Sequence, residues 1–156
     1  MPLVESVVEP ARAPAEPVCK SVVEPVCGSV FECVGNTPMV ALRRLFPDPD
    51  VEVIAKLELL NPGGSMKDRS ARHIVEAGLR EGSIEPGSRL IESSSGNFGI
   101  ALAIAARLYD LRFTCVVDPK TTQANVAILR GLGADVEIVS QRDEAGGYLH
   151  SRIRRV

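Results

Sequence analysis

Neither sign of charge dominates this sequence: 18 lysines and arginines stand against 20 acidic residues, for a formal net charge of −2. A balance of that kind provides no positive field for gathering a phosphate backbone or an anionic membrane surface, so nucleic acid is not an expected partner. Long apolar runs are also missing. No stretch approaches the roughly 20 consecutive apolar residues that a bilayer-spanning helix needs, and the N-terminus lacks a basic start followed by an apolar segment. The expectation is a cytoplasmic protein without a membrane partner. Metal-ligand spacing is absent too: Cys19, Cys27, Cys33 and Cys115 form no C-x-x-C pair, and His73 and His150 stand alone. The cysteines read as reduced thiols, with Cys115 in the apolar run FTCVV as core filler.

Nucleotide and hydrolase signatures are likewise missing. There is no G-x-x-x-x-G-K-[ST] loop and no G-x-G-x-x-G after the first strand. The serine run Ser93, Ser94 and Ser95 lacks the leading glycine of a G-x-S-x-G elbow.

What is present begins with a tail. Residues 1–28 carry Pro2, Pro10, Pro14, Pro17 and Pro25, and SVVEP occurs twice, at Ser6–Pro10 and Ser21–Pro25. That proline density prevents a regular helix or central strand, so the segment reads as a disordered, extended tail. From Val51 the texture changes to strands alternating with helices. VEVIAKLEL reads as a strand and NPGGS as a loop, after which Ala71, Ile74, Val75, Gly78 and Leu79 form one apolar stripe on a helix. A strand at RLIES, the loop SSSGN and the helix FGIALAIAARLY follow; that helix is apolar on nearly every face and should be buried on two sides. RFTCVVD then leads to Thr121 as N-cap of a helix with Ala124, Ala127, Ile128, Gly131 and Leu132 on its stripe, ended by Gly133, and DVEIV closes the series.

Four strands separated by three helices imply an α/β fold, a parallel sheet with helices on both faces and ligands at the strand carboxyl ends. NPGGS and SSSGN both lie at such an end and both precede a helix. Unpaired N–H groups at helix starts make that edge suited to an anion. Lys67 stands at one of these starts. The macrodipole there opposes a positive charge and favours the neutral amine that attacks an aldehyde. Alone, this is equally the position of a solvated lysine screened by Asp68, and SSSGN alone is equally a serine-rich N-cap.

In order along the chain, GNTPMV, NPGGSMKDR, SSSGNFGIALA and DPKTTQANVAILRGLGADVEIV resemble the fold type II pyridoxal-phosphate family, whose best-known members are cysteine synthase and cystathionine β-synthase. The resemblance spans about residues 29–156. It implies pyridoxal 5'-phosphate as cofactor and Lys67 as the catalytic residue bonded to it. It also implies Asn97 as the amide beside the cofactor ring oxygen, and Ser94, Ser95 and Gly96 as the grip on the substrate carboxylate. In domain terms it divides the chain into the tail at 1–28, the start of a larger domain at 29–50, and the smaller α/β cofactor and substrate-loop domain at 51–156. The family's phosphate cup and pyridine-nitrogen serine lie further downstream, so a fragment of a longer protein is expected, homodimeric in its full-length form.

Within the family, SMKDR, ESSSGNFG and VVDPKTTQANVAILRGLGA look closest to the branch that joins O-phospho-L-serine to L-glutamate, giving N-(2-amino-2-carboxyethyl)-L-glutamate, a precursor of 2,3-diaminopropionate and siderophores. Phe98 departs from the threonine that cysteine synthases place after the asparagine, which implies a less polar pocket. Two alternatives stand beside this: a cysteine synthase using sulfide, and a non-catalytic remnant. Arg152 and Arg154 are candidates to face a phosphate leaving group, against the plainer reading of solvated arginines.

Overall fold

The structure is a computed structural model that describes residues 26–156. The proline-rich tail, with Cys19, lies almost wholly outside the described residues. Two short strands, β1 (Met39–Ala41) and β2 (Ile54–Lys56), precede a single 3-10 turn at Glu58–Leu60. Next come α1 (Lys67–Glu81), β3 (Arg89–Ser93), α2 (Asn97–Leu108), β4 (Arg112–Val117), α3 (Gln123–Gly131), β5 (Asp135–Ile138) and the short α4 (Leu149–Ile153).

The α/β architecture with a parallel sheet is present. β3 pairs parallel with β4, and β4 with β5, with Ser93 opposite Val116 and Val117 opposite Ile138. The sheet holds three strands, however, and not four. β2 pairs antiparallel with β1, Met39 facing Lys56, and stays outside the parallel set. Periodicity within VEVIAKLEL identifies a strand but carries no information about which neighbour it will meet, and MVA lies one twelve-residue connection away.

α2 is the centre of packing. Its Gly99, Ile100, Ala101, Leu102, Ala103, Ala105 and Ala106 are buried, as an all-round apolar helix requires. Alternate residues of β4, namely Phe113, Cys115 and Val117, join the same core from the sheet side. α1 contributes Ala71 and Val75, whereas Ile74, expected on that stripe, is half exposed because α2 meets only one flank of the helix.

α3 departs further from expectation. Thr122, not Thr121, is its N-cap, accepting from the Asn125 N–H at 3.3 Å. Ala124, Ala127, Ile128 and Gly131 point outward, and Leu129 is the fully buried residue. The helix carries two competing apolar rows, and the one chosen by the fold includes a polar residue, Asn125, which disguises it.

α2 packs on the sheet and α1 packs on α2, the two helices running in the same direction. The turn after α1 and the turn after α2 are joined at the amino edge by Gly87 N–H donating to Asp110 O at 2.9 Å. The starts of α1 and α2 therefore share the opposite edge, where the strands end. Glycines in left-handed conformation terminate α1 at Gly82 (φ 75°) and α3 at Gly133 (φ 87°), positions where other residues would be strained.

Candidate active site

Lys67 is the first residue of α1, with its side chain exposed at the carboxyl edge of the sheet. Its position is fixed through the backbone: Ser65 Oγ accepts the Lys67 N–H at 3.1 Å, and Gly64, at φ 79°, closes the preceding turn by donating to Asn61 O at 2.8 Å. Beside it, Asp68 is 1% exposed and reaches back to accept the Gly63 N–H, while its Oδ1 has no partner. Burial pushes the Asp68 carboxyl above the usual carboxylate range, opposed in part by that hydrogen bond.

One side of this loop is tied to the segment before β1. Glu58 accepts from Arg69 Nε and Nη2, both at 2.8 Å, and from Thr37 Oγ1, also at 2.8 Å. Asn61 donates to Glu58 Oε2 and to Ser65 O, and accepts the Gly35 N–H. The Arg69 guanidinium, ahead of the Thr37 and Asn61 donors, holds the Glu58 carboxyl down to about 2. Fork-to-carboxylate pairing of this geometry is among the stronger polar contacts and orients the first turn of α1.

The second loop leaves β3 at Ser93. Ser94 Oγ accepts the Gly99 N–H at 2.9 Å, so this hydroxyl does cap α2, as the plainer reading of the loop held; its own O–H remains free to donate. Ser95 and Gly96 are half-buried, and their N–H groups donate to no described residue. Asn97 begins α2 with an exposed side chain. The structure thus brings Lys67, Ser94, Ser95, Gly96 and Asn97 to one edge. Neither the Lys67 amine nor the Asn97 amide is engaged in a hydrogen bond or ion pair with other described residues.

Arg152 and Arg154 separate. Arg154 is exposed, but the Arg152 side chain is only 11% exposed and lies against Asp118, at the end of β4. Nε of Arg152 is 3.4 Å from Asp118 Oδ2, close enough for attraction yet not aligned for a hydrogen bond, so Nε and Nη1 remain buried without partners. Buried guanidinium donors left open are costly unless something else satisfies them.

A free amine at a helix start, an exposed amide and a run of uncommitted N–H groups suit an aldehyde-bearing cofactor and a carboxylate substrate. No group of three or more potential metal ligands occurs among the described residues. Sequence reasoning assigned no role to Thr37, Glu58, Asn61 or Arg69 and took Asp68 only as a screen for Lys67, whereas Asp68 is buried and turned to Gly63; GNTP and NPGGSMKDR are the linear signal for all of them but Glu58, which lies in VEVIAKLEL.

A family model described as pyridoxal-phosphate dependent enzyme matches residues 30–155. N-(2-amino-2-carboxyethyl)-L-glutamate synthase of Cupriavidus metallidurans is 61% identical over 139 residues, which is 89% of this chain and 38% of that protein. The protein of the same name from Ralstonia nicotianae is 58% identical over 125 residues, 80% of this chain and 37% of that one. Among solved structures, O-ureido-L-serine synthase superposes with a TM-score of 0.72 at 31% identity, over 84% of this chain and 42% of the other. A hydrogen sulfide-producing enzyme of Fusobacterium nucleatum gives 0.72 at 27% identity, over 85% and 42%. The chain therefore spans well under half the length of these relatives.

Proposed function

We propose that this chain, which belongs to the pyridoxal-phosphate-dependent enzyme family, carries the lysine-bearing part of a synthase joining O-phospho-L-serine to L-glutamate, giving N-(2-amino-2-carboxyethyl)-L-glutamate. The observation that carries the reading is the pair of relatives bearing that product's name at 61% and 58% identity, with SMKDR and ESSSGNFG intact in this chain.

When bound, pyridoxal phosphate supplies an aldehyde for an amine and a ring that withdraws electrons from the substrate Cα. Lys67 would hold the cofactor, and its amine would serve as the general base that takes and returns a proton at the substrate Cα. Its exposure at the sheet edge leaves the amine free to do both. Asn97 would offer its exposed amide to the cofactor ring and orient it. Ser94 O–H and the free N–H groups of Ser95 and Gly96 bind the α-carboxylate. Arg152, whose Nε and Nη1 are buried against Asp118 and out of reach of solvent, is not assigned to the phosphate of O-phospho-L-serine.

In this reading residues 29–50 begin a larger domain and 51–156 form the smaller one, and the complete protein is a cytoplasmic homodimer acting on small amino acids in siderophore-precursor biosynthesis.

Adding pyridoxal phosphate to the chain is expected to give a visible absorption band that Lys67→Ala abolishes. With O-phospho-L-serine present, glutamate and not sulfide is expected to be consumed. No lysine-dependent band would overturn the cofactor assignment, and consumption of sulfide alone would overturn the choice of second substrate.

A further inference from the structure

The carboxylate loop is shaped from below by two side chains that come from later in the chain. Cys115, on β4, directs its thiol to Ser94 O at 3.1 Å, and Asn125, on the first turn of α3, donates Nδ2 to Ser95 O at 3.0 Å. Cys115 is fully buried, and that burial pushes its thiol up to about 11, so it stays protonated and can donate. The loop's peptides are all trans. In a trans peptide the carbonyl and the following N–H point in opposite directions. Fixing Ser94 O towards Cys115 therefore turns the Ser95 N–H away from the protein interior. Fixing Ser95 O towards Asn125 does the same for the Gly96 N–H. Neither of these N–H groups donates to a described residue.

Asn125 is itself held, because its backbone N–H is taken by the Thr122 cap of α3. The interaction thus runs from a capped helix start to the loop of the neighbouring βαβ unit, 30 residues away. Cys115 also fills the space a side chain on Gly99 would need, with 2.9 Å from Sγ to an added Cβ.

We infer that Asn125 is a positioning residue for substrate recognition: by holding Ser95 O it aims the Gly96 N–H at the α-carboxylate of the incoming amino acid. The inference rests on the carboxylate role proposed above for Ser94–Gly96. It assigns Asn125 no contact with substrate.

The test is an amide-resolved NMR titration of the full 156-residue chain, without added pyridoxal phosphate, so that failure of the cofactor assignment leaves its outcome untouched. One probe is O-phospho-L-serine. The other is O-phosphoethanolamine, which lacks the carboxylate. In the wild-type chain O-phospho-L-serine is expected to move the Ser95 and Gly96 amides. Asn125→Leu, close in volume but without a donor, is expected to weaken that response about tenfold, in keeping with loss of one well-made hydrogen bond. Its response to O-phosphoethanolamine should match wild type. Asn125→Ser provides the same reading should leucine unfold the helix start. Equal loss for both probes would show a merely structural role, and an unchanged response to O-phospho-L-serine would show that the loop keeps its shape unaided; either overturns the inference, as does a wild-type loop that ignores O-phospho-L-serine.

Discussion

The carboxylate of Asp68 occupies the space where a side chain on Gly63 would have to go. Gly63 donates its N–H to Oδ2, and a Cβ built on Gly63 would lie 2.9 Å from the carboxyl carbon. Gly63→Ala is therefore expected to destabilise the chain by roughly 1–3 kcal/mol through forced displacement of a packed neighbour. Thermal unfolding reads this directly. An unchanged melting temperature would mean that the loop before Lys67 yields freely.

Glu58 and Asp68 respond to acid in opposite senses. The Glu58 carboxyl is lowered from its ordinary value of 4.5 to about 2, chiefly by Arg69. Its contribution to stability is complete above about pH 4.5 and is lost as pH falls towards 2. Glu58→Gln should thus lower stability at neutral pH and match wild type near pH 2. Asp68 is raised above 3.8 by burial, so ionising it as pH rises through that window costs the folded state. Asp68→Asn keeps an acceptor for Gly63 and should gain on wild type as pH increases. Denaturant midpoints collected across pH separate the two variants; parallel curves would contradict both assignments.

Gly99 and Cys115 should be energetically coupled. An added methyl at Gly99 meets Cys115 Sγ at 2.9 Å and Ser94 O at 3.1 Å. Gly99→Ala is expected to destabilise, and Cys115→Ala to relieve part of that loss while itself being destabilising alone. The coupling expected for such touching residues is about 0.5–3 kcal/mol by double-mutant cycle in urea. Strict additivity would show that the loop, and not the sulfur, absorbs the methyl.

Lys67→Ala and Leu129→Ala should divide function from stability. Lys67 is exposed, so its removal is expected to shift stability by no more than about 0.5 kcal/mol while eliminating the visible band with pyridoxal phosphate. Leu129 is fully buried on α3, and its truncation is expected to cost about 2–5 kcal/mol. Urea denaturation of both, alongside absorption spectra, checks the contrast.

Much of the architecture was legible before the structure. Strong periodicity in α1 and α2 and the turn glycines were read correctly; the two loops do share one edge, but through the parallel packing of α1 on α2 and not, as the strand count had implied, because both follow strands of one parallel sheet. The partner of β2 was not legible, since alternation specifies a face and not a neighbour. The buried face of α3 was misjudged because Asn125 interrupts it with an amide whose acceptor, Ser95 O, is 30 residues away. Cys115 read as filler for a related reason: an apolar run shows that a thiol will be buried but not that a carbonyl waits beside it. At the site, Lys67 and the serine loop stood out through motif wording, whereas the contacts that orient them join residues far apart in sequence.

Glu58 is shared by three stretches of chain, through Thr37, Asn61 and Arg69. Such a knot cannot be altered strand by strand: a lineage that exchanged the carboxylate alone would strand a guanidinium, a hydroxyl and an amide together. These four positions are expected to change in concert or not at all across the proteins that keep this lysine, leaving a covariation signature that an alignment of descendants would reveal.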